Sequence, residues 1–485
     1  MVSVTDFTAI LYVSEGRPTN AWNGSIGSGA PVIVSYSFVG GADLGAYDLD
    51  AAYPNDGFTQ MTAVQQQNFR DVLAIFEAAA GIVFVEVDSG AAMINAMATS
   101  GSSYGGWASV PYVTDSYTSA GELVVDSGGA FDEGSFAFLT MLHELGHAMG
   151  LQHPWEGSVT LDPSIDDEEH TVMTYNSDWP YAQGLGTLDV AALQYLYGAA
   201  GLVTGWVTSF AAGVLTVTGS VRGDTILGVS GQNVLNGAGG SDRIDGRQEG
   251  DVLNGGLGAD TLAGGGGGDR LNGGAGGDLI YATDDALGWD TSGANLSGGA
   301  GDDRLFGAQG ADTLLGGLGR DHLNGQSGAD VLRGGGGDDN LAGDAVGTYG
   351  GDDSLYGDAG RDVLNGGAGS DLVYGGTEND TLNGGSGWDT LDGGEGDDLL
   401  SGGGTGAVRD TFTGGGGADV FVFAPADGSS TMYITDFTRG EDRIDLTAMG
   451  VSFADVAKSG AWLIVEGLWI NTTVTAQITA GDFIF

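Results

Sequence analysis

Apolar and polar positions follow two different rhythms along this chain. In the first two hundred residues they are those of a mixed α and β domain. Pro31 to Phe38 is β-branched and aromatic and predicts a strand. From Gln65 to Ala80, the residues Phe69, Val72, Leu73, Phe76 and Ala80 recur at three- and four-residue spacing, which predicts an amphipathic helix stopped by Gly81. Ile82 to Val87 and Gly121 to Asp126 predict further strands, and Leu188 to Gly198 a helix with a glycine stop. Gly105 to Tyr112 contains Pro111, which cannot donate to a ladder, so this strand belongs at a sheet edge. Residues 1–30 are polar and predict a weakly structured entry segment. From residue 224 the period becomes nine, G-G-x-G-x-D-x-U-x with U aliphatic. Its aspartates are Asp242, Asp251, Asp260, Asp269 and Asp278, then Asp303, Asp312, Asp321, Asp330 and Asp339, then Asp353, Asp362, Asp371, Asp380, Asp389 and Asp398. Two residues after each stands an apolar residue, Ile244 to Ile280, Leu305 to Leu341 and Leu355 to Leu400.

Composition narrows what this can be. The chain has 485 residues, enough for two or three domains, and 94 of them are Gly without a three-residue period, which points to a repeat. A net charge of -51 argues against nucleic-acid partners and for cations. There is no Cys, so neither disulfides nor thiolate chemistry enter. Lys458 is the only lysine, which removes a P-loop. Met1 to Asp6 does not read as a Sec-type signal, and no apolar run approaches the roughly 20 residues of a membrane span. Gly101-Ser102-Ser103-Tyr104-Gly105 matches the serine-hydrolase elbow, but no clear strand is expected before it and no helix after it.

The repeat has a physical reading. Its glycines permit tight turns, its aspartates and turn carbonyls offer the hard oxygens calcium prefers, and its apolar residues fill a shared core. Such nonapeptides form a parallel β-roll with two repeats per turn, so aspartates eighteen apart, such as Asp242 with Asp260 and Asp251 with Asp269, stack around several calcium ions. Without calcium the carboxylates repel and the glycines are costly to order, so the repeats are expected to fold only with it. Two intervals break the period, 25 residues from Asp278 to Asp303, with Ala294 where an aspartate is due, and 14 from Asp339 to Asp353. Inserts around Thr283 to Trp289 and Ala345 to Tyr349 should bulge as loops, and the calcium sites beside them are the doubtful ones. Asn233 departs from the pattern as well.

The other chemistry lies in Thr140 to Pro154. His143 and His147 are four apart and share one helix face, so both rings reach one point. Glu144 stands beside that point, where it can take a proton from metal-bound water. Gly150 ends the helix in a left-handed conformation and turns the chain so that His153 returns as a third nitrogen ligand. One position is left for water, the arrangement of a catalytic zinc site. H-E-x-x-H-x-x-G-x-x-H with the downstream Thr171-Val172-Met173-Thr174-Tyr175 is the metzincin signature with its methionine turn.

With Pro154 after the third histidine and Tyr175 two residues past Met173, the chain resembles the serralysins, secreted bacterial zinc proteases. The resemblance implies an α+β metzincin catalytic domain over 1–200, an all-β parallel β-roll over 201–405 and a β-rich cap over 406–485. It implies one catalytic zinc on His143, His147 and His153, Glu144 as general base, and Tyr175 as an extra ligand that swings away to bind the oxyanion. Met173 is then a structural floor, and Gly106, Trp107, Ala108 and Ser109 are the edge strand along which a protein or peptide substrate lies. Gly417 to Phe423 and Tyr433 to Leu446 resemble capping segments, and Gly481-Asp482-Phe483-Ile484-Phe485 is similar to a C-terminal type I secretion signal, which implies export to the extracellular space through that apparatus. A monomer is expected. Asp166 to Glu169 is expected to be a solvated loop, with His170 and His322 at the surface. The rival reading is a calcium-dependent extracellular binding or adhesion protein whose first domain does not hydrolyse.

Overall fold

The computed structural model describes residues 2–4, 13–14, 17–18, 31–39, 57–87, 92–100, 106–108, 112–114, 117–119, 121–126, 135–154, 159–164, 166–175, 181–229, 231–283, 291–345, 350–403, 409–424, 431–472 and 477–485. Contacts divide the chain into two units, Met1–Ser220 with Asp224–Leu235, and Val221–Gly223 with Asn236–Phe485.

The first unit is built on a twisted sheet in the order Ile82–Glu86, Val32–Phe38, Ile94–Ser100, Gly121–Asp126, Gly106–Ala108. The first four strands are parallel to one another, while Gly106–Ala108 runs antiparallel along the edge. Helix α1 (Ala63–Ala79) starts at Thr62, whose hydroxyl accepts from Gln65 N while the Gln65 side chain accepts from Thr62 N, a reciprocal cap. Its buried face is Phe69, Val72, Leu73 and Phe76, the stripe that the spacing predicts. Helices α2 (Phe136–Ala148) and α3 (Thr187–Tyr197) complete the unit, and α1 contacts both.

Two features of this unit differ from the sequence reading. The central strand Ile94–Ser100 leads directly to Gly101, so a strand does precede the hydrolase-like pentapeptide. The pentapeptide lies outside the described residues, and the strand Gly106–Ala108 comes after it where an elbow would need a helix. Asn95, Ala96 and Ala98 are poor strand formers, and burial between neighbours decides their conformation. Within the entry segment, Val2–Val4 pairs in parallel with Val159–Leu161, and Val13–Ser14 pairs with Arg17–Pro18; residues 19–30 lie outside the described residues.

The second unit is the roll. Successive strands alternate between two parallel sheets, so that each pairs with the strand two repeats on: Val252–Leu257 with Arg270–Ala275, and Arg243–Asp245 with Thr261–Ala263. Leu253, Leu262, Leu271, Leu314, Leu323, Leu332, Leu364 and Leu391 are buried between the sheets. Each such leucine contributes about 1.5–3 kcal/mol relative to exposure. The turns demand glycine where one passes over the next: Gly274 has φ +106°, and a Cβ there would stand 2.3 Å from Gly256 O. Beyond Asp398 the sheets run on through Thr411–Gly416, Val420–Val422, Thr431–Ile434 and Arg443–Asp445. Ala457–Ser459, Trp462–Val465 and Leu468–Thr472 add antiparallel pairs to one sheet, and Phe483–Ile484 ends the other. Both expected insert loops lie mostly outside the described residues.

Candidate functional site

Helix α2 begins at Ser135, whose hydroxyl accepts from Phe138 N at 3.1 Å, and every residue from Phe138 to Ala148 is buried. It closes with Met149 N on Leu145 O and Leu151 N on Gly146 O, with Gly150 at φ +93°. That reversal brings His153 back to the helix.

His143 Nδ1 lies 2.7 Å from Val172 O, and His147 Nδ1 lies 2.9 Å from Leu151 O. A carbonyl only accepts, so both Nδ1 atoms carry the proton and both Nε2 atoms present a lone pair. Each Nε2 is 3.2 Å from His153 Nε2. Two nitrogens about 2.05 Å from a tetrahedral zinc lie about 3.3 Å apart, so the three rings fit such an ion. Among the described residues these histidines are the one group of three or more His, Cys, Asp or Glu with ligand atoms within 4.8 Å of one another. Burial and then the neighbouring His147 push His143 down to about 3, which keeps it a neutral ligand.

Glu144 is 8% exposed and is pushed up to about 8 by burial, against the hydrogen bond it receives from Ala108 N–H. The edge strand therefore touches the candidate base through its backbone. Of the expected substrate strand, the Trp107 side chain and Ser109 lie outside the described residues. Tyr175 is 67% exposed, its ring centroid 4.8 Å from that of His153 and 5.3 Å from that of His143. Met173 is fully buried against α2, where a Cβ on Gly146 would come within 2.5 Å of its Sδ. His170 is half-buried, with Nδ1 2.6 Å from Asp167, and His322 is half-buried beside Phe306, so neither is a free surface histidine.

One residue of this site escapes sequence reasoning. Asp189, on α3, is fully buried and accepts from Thr171 Oγ1 at 2.6 Å, Val172 N at 2.8 Å and Gly186 N at 2.8 Å. Thr171 Oγ1 in turn accepts from Met173 N at 3.0 Å. Asp189 thus grips the methionine turn by the N–H of Val172, the residue whose carbonyl holds His143. Burial raises it to about 6, against the three donors. An acidic residue three positions after Gly186, at a helix start, was its one visible signal.

In the roll the aspartates form two stacked rows. The backbone N–H of one aspartate donates to Oδ1 of the aspartate a turn later, as Asp242 to Asp260, Asp278 to Asp303, Asp321 to Asp339, Asp353 to Asp371 and Asp380 to Asp398, at 2.7–2.9 Å. The same bond links Asp251 to Asp269, Asp312 to Asp330, Asp339 to Asp362 and Asp371 to Asp389. Asp410 and Asp419 extend the rows, receiving from Asp389 and Asp398 at 3.0 Å. The second oxygens of Asp260, Asp278, Asp303, Asp321, Asp330, Asp339, Asp353, Asp362, Asp371, Asp380, Asp389, Asp398 and Asp419 are buried with no hydrogen-bond partner. A buried anionic oxygen without a donor calls for a cation, so the rows fit calcium. Burial first, and neighbouring carboxylates after it, push Asp303 up to about 6, Asp330 to about 7 and Asp353 to about 8. Asp312 differs, since its second oxygen accepts from Ala308 N at 2.6 Å.

A histidine metal cluster on an α+β unit and rows of donor-starved carboxylates in a roll define the class, a metallopeptidase fold joined to calcium-binding repeats. The comparisons agree. The family described as metallo-peptidase family M12B, reprolysin-like, matches residues 49–154, and the RTX calcium-binding nonapeptide repeat matches seven segments between residues 218 and 423. The chain is 27% identical over 220 residues to Serralysin from Proteus mirabilis, covering 38% of this chain and 43% of that protein. It is 28% identical over 225 residues to Serralysin B from Dickeya chrysanthemi, covering 40% and 45%. The chain therefore spans less than half the length of either relative. In a reprolysin-like metallopeptidase segment followed by RTX repeats, and in these two relatives, the chain is similar to serralysin-type metalloproteases.

Proposed function

We propose that the chain is a secreted, zinc-dependent endopeptidase that hydrolyses peptide bonds in protein substrates. The observation that carries this reading is the approach of His143 and His147 Nε2 to His153 Nε2 at 3.2 Å, with Glu144 next to His143 on the same buried helix. A zinc ion on these nitrogens would supply a Lewis acid that polarises the scissile carbonyl and acidifies a water. Glu144, in its buried setting, takes the proton of the attacking water and returns it to the leaving amine. Tyr175, exposed beside the histidines, would turn its hydroxyl to the oxyanion. The strand Gly106–Ala108, last in its sheet among the described residues, would bind an extended substrate by main-chain hydrogen bonds. Met173 supports the histidines from below.

The division of labour follows the sequence: residues 1–200 catalyse, 201–405 form the calcium-folded roll, and 406–485 cap it and carry the type I export signal. RTX repeats and serralysin relatives favour the extracellular space, where calcium is plentiful, and no helix among the described residues is long and apolar enough to cross a membrane. The protein is expected to act as a monomer.

The test is caseinolysis by the wild type and by Glu144→Ala in calcium-containing buffer, with zinc measured in both. Retained zinc with cleavage down at least about 10²-fold is expected. Normal cleavage by the variant would refute the assignment of the base, and a zinc-loaded wild type without cleavage would favour a binding protein.

A further inference from the structure

The second break in the nonapeptide period sits beside a carboxylate that the motif does not contain. Asp344 follows Gly343, where the repeats mostly place glycine, and the insert begins after it. The strand Asn340–Asp344 pairs with Val363–Ala368 only over Asn340↔Val363, Leu341↔Leu364 and Ala342↔Asn365. Past that point a side chain replaces the ladder: Asp344 Oδ2 accepts from Ala368 N at 2.7 Å, and the backbone of Gly351 also bonds to this carboxylate.

The other oxygen is the informative one. Asp344 is 8% exposed, and its Oδ1 is buried without a hydrogen-bond partner. It stands beside the row that the insert interrupts: a Cβ on Gly367 would strike Asp344 Oδ2, one on the adjacent Gly366 would strike Asp371 Oδ2, and one on Gly343, the residue before Asp344, would strike Asp353 Oδ2; its charge accordingly raises Asp330, Asp353 and Asp371. The second oxygens of those three are likewise buried and unpartnered, and no ion pair among the described residues reaches any of the four. No three carboxylates among the described residues offer oxygens within 4.8 Å of one another. An ion here thus takes side chains in pairs and completes its six to eight oxygens from turn carbonyls and water. Ala368 O is at hand, since it and Asp344 Oδ2 both crowd the Cβ position of Gly350.

We propose that Asp344 is a calcium ligand outside the nonapeptide motif, which with a neighbouring row carboxylate and turn carbonyls keeps the site at the second insert occupied. The first insert is resolved in the opposite way. Ala294 brings no carboxylate, and Asp312 has both oxygens on backbone donors, Ala294 N at 2.7 Å and Ala308 N at 2.6 Å. Ala308 is not among the residues with positive φ, unlike its counterparts Gly256, Gly274, Gln326 and Asp358, and its N–H fills the place of an ion. One break is bridged by an added anion, the other by a peptide.

The proposal rests on the calcium-binding reading of the repeats, and the experiment separates the two. Calcium bound per full-length chain is counted by equilibrium dialysis with atomic emission, with strand content followed by circular dichroism across the same titration. Asp344→Asn keeps an amide oxygen for Ala368 N–H but puts an NH₂ where Oδ1 stood. It should reach the wild-type strand signal at saturating calcium, bind about one ion fewer and need more calcium at its midpoint. Asp312→Asn should keep the wild-type count. The idea is overturned if Asp344→Asn keeps both count and midpoint while only Asp344→Ala is impaired, since Asp344 would then merely hold the backbone. Failure of Asp344→Asn to fold at saturating calcium would overturn it too, because one lost ligand should cost one ion and not the roll. A wild type that binds no calcium would instead sink the reading of the repeats.

Discussion

Replacing Asp189 by alanine should damage the metal site from a distance and without touching a ligand. Three buried donors, Thr171 Oγ1, Val172 N and Gly186 N, lose their acceptor. A buried donor left unsatisfied costs about 1–3 kcal/mol, so the variant should lose about 3–9 kcal/mol, with incomplete additivity pulling towards the lower figure. For a unit of this size that is a fall of roughly 10 °C in the calorimetric transition of the catalytic unit, measured in calcium-containing buffer so that the roll stays folded. Loosening Val172 at its N–H would also slacken the bond by which its carbonyl aims His143, so caseinolysis should fall beyond what unfolding at the assay temperature explains.

The asparagine variant separates geometry from charge. Burial holds Asp189 at about 6 in the folded chain, above the ordinary carboxyl value of 3.8. Between these values the folded state holds a proton that the unfolded chain has released, so this residue makes stability rise as pH falls from about 6 to about 4. Two pKa units correspond to about 3 kcal/mol. Asparagine keeps an acceptor for Val172 N and Gly186 N and has no charge to bury. The difference in stability between Asp189→Asn and wild type should therefore shift against the variant as pH falls from 7 to 4.5, while histidine titration common to both cancels. A constant difference across that range, or an alanine variant within 1 kcal/mol of wild type at pH 7, would refute the account of Asp189 as a buried clamp on the turn.

Two further outcomes follow from the same geometry. Tyr175→Phe should lower kcat by about 10² with little change in KM, because its hydroxyl is assigned to the transition state and its ring is exposed in the resting site; an effect confined to KM would remove Tyr175 from catalysis. In the roll, Asp303, Asp330 and Asp353 are pushed up to about 6, 7 and 8, so calcium must displace protons and the midpoint of the folding titration should rise as pH falls from 8 to 6. A midpoint independent of pH would mean that these carboxylates are already ionised before the ion arrives.

The legible parts of this chain were those whose partners are close in sequence. His143, Glu144 and His147 lie within one helical turn, His153 follows a glycine reversal, and the nonapeptide writes the roll as a local period. Asp189 was hidden because its partners lie 17 and 18 residues upstream, and nothing in the sequence says that their donors will converge. Ile94–Ser100 was hidden because its place at the centre of the sheet, and not its residue types, makes it a strand. Asp410 and Asp419 were hidden by a short insert after Asp398 that breaks the count of nine while the stacking continues. Asp312 reads as a ligand in the sequence, because the sign of φ at Ala308, which turns an N–H towards it, leaves no trace in the motif.

The same test of donors separates structural from ion-binding groups throughout the molecule. Asp189 and Asp312 have each oxygen on a donor, and a buried carboxylate so satisfied needs no cation. Asp353 and Asp371 have one oxygen on a backbone N–H and one on nothing. The histidines follow the same rule with nitrogen: backbone carbonyls take Nδ1 of His143 and His147, and the remaining lone pairs are aimed inward. The consequences of metal loss nevertheless differ. Neutral imidazoles 3.2 Å apart repel little and sit on a buried helix whose packing does not depend on the ion, so removing zinc should leave the first unit folded. The row carboxylates are buried anions beside one another with a glycine-rich backbone to order, so removing calcium leaves either protonation or unfolding as relief. At a pH near the raised values of these rows both routes are open, so the calcium requirement of the roll should be the stronger of the two metal dependences.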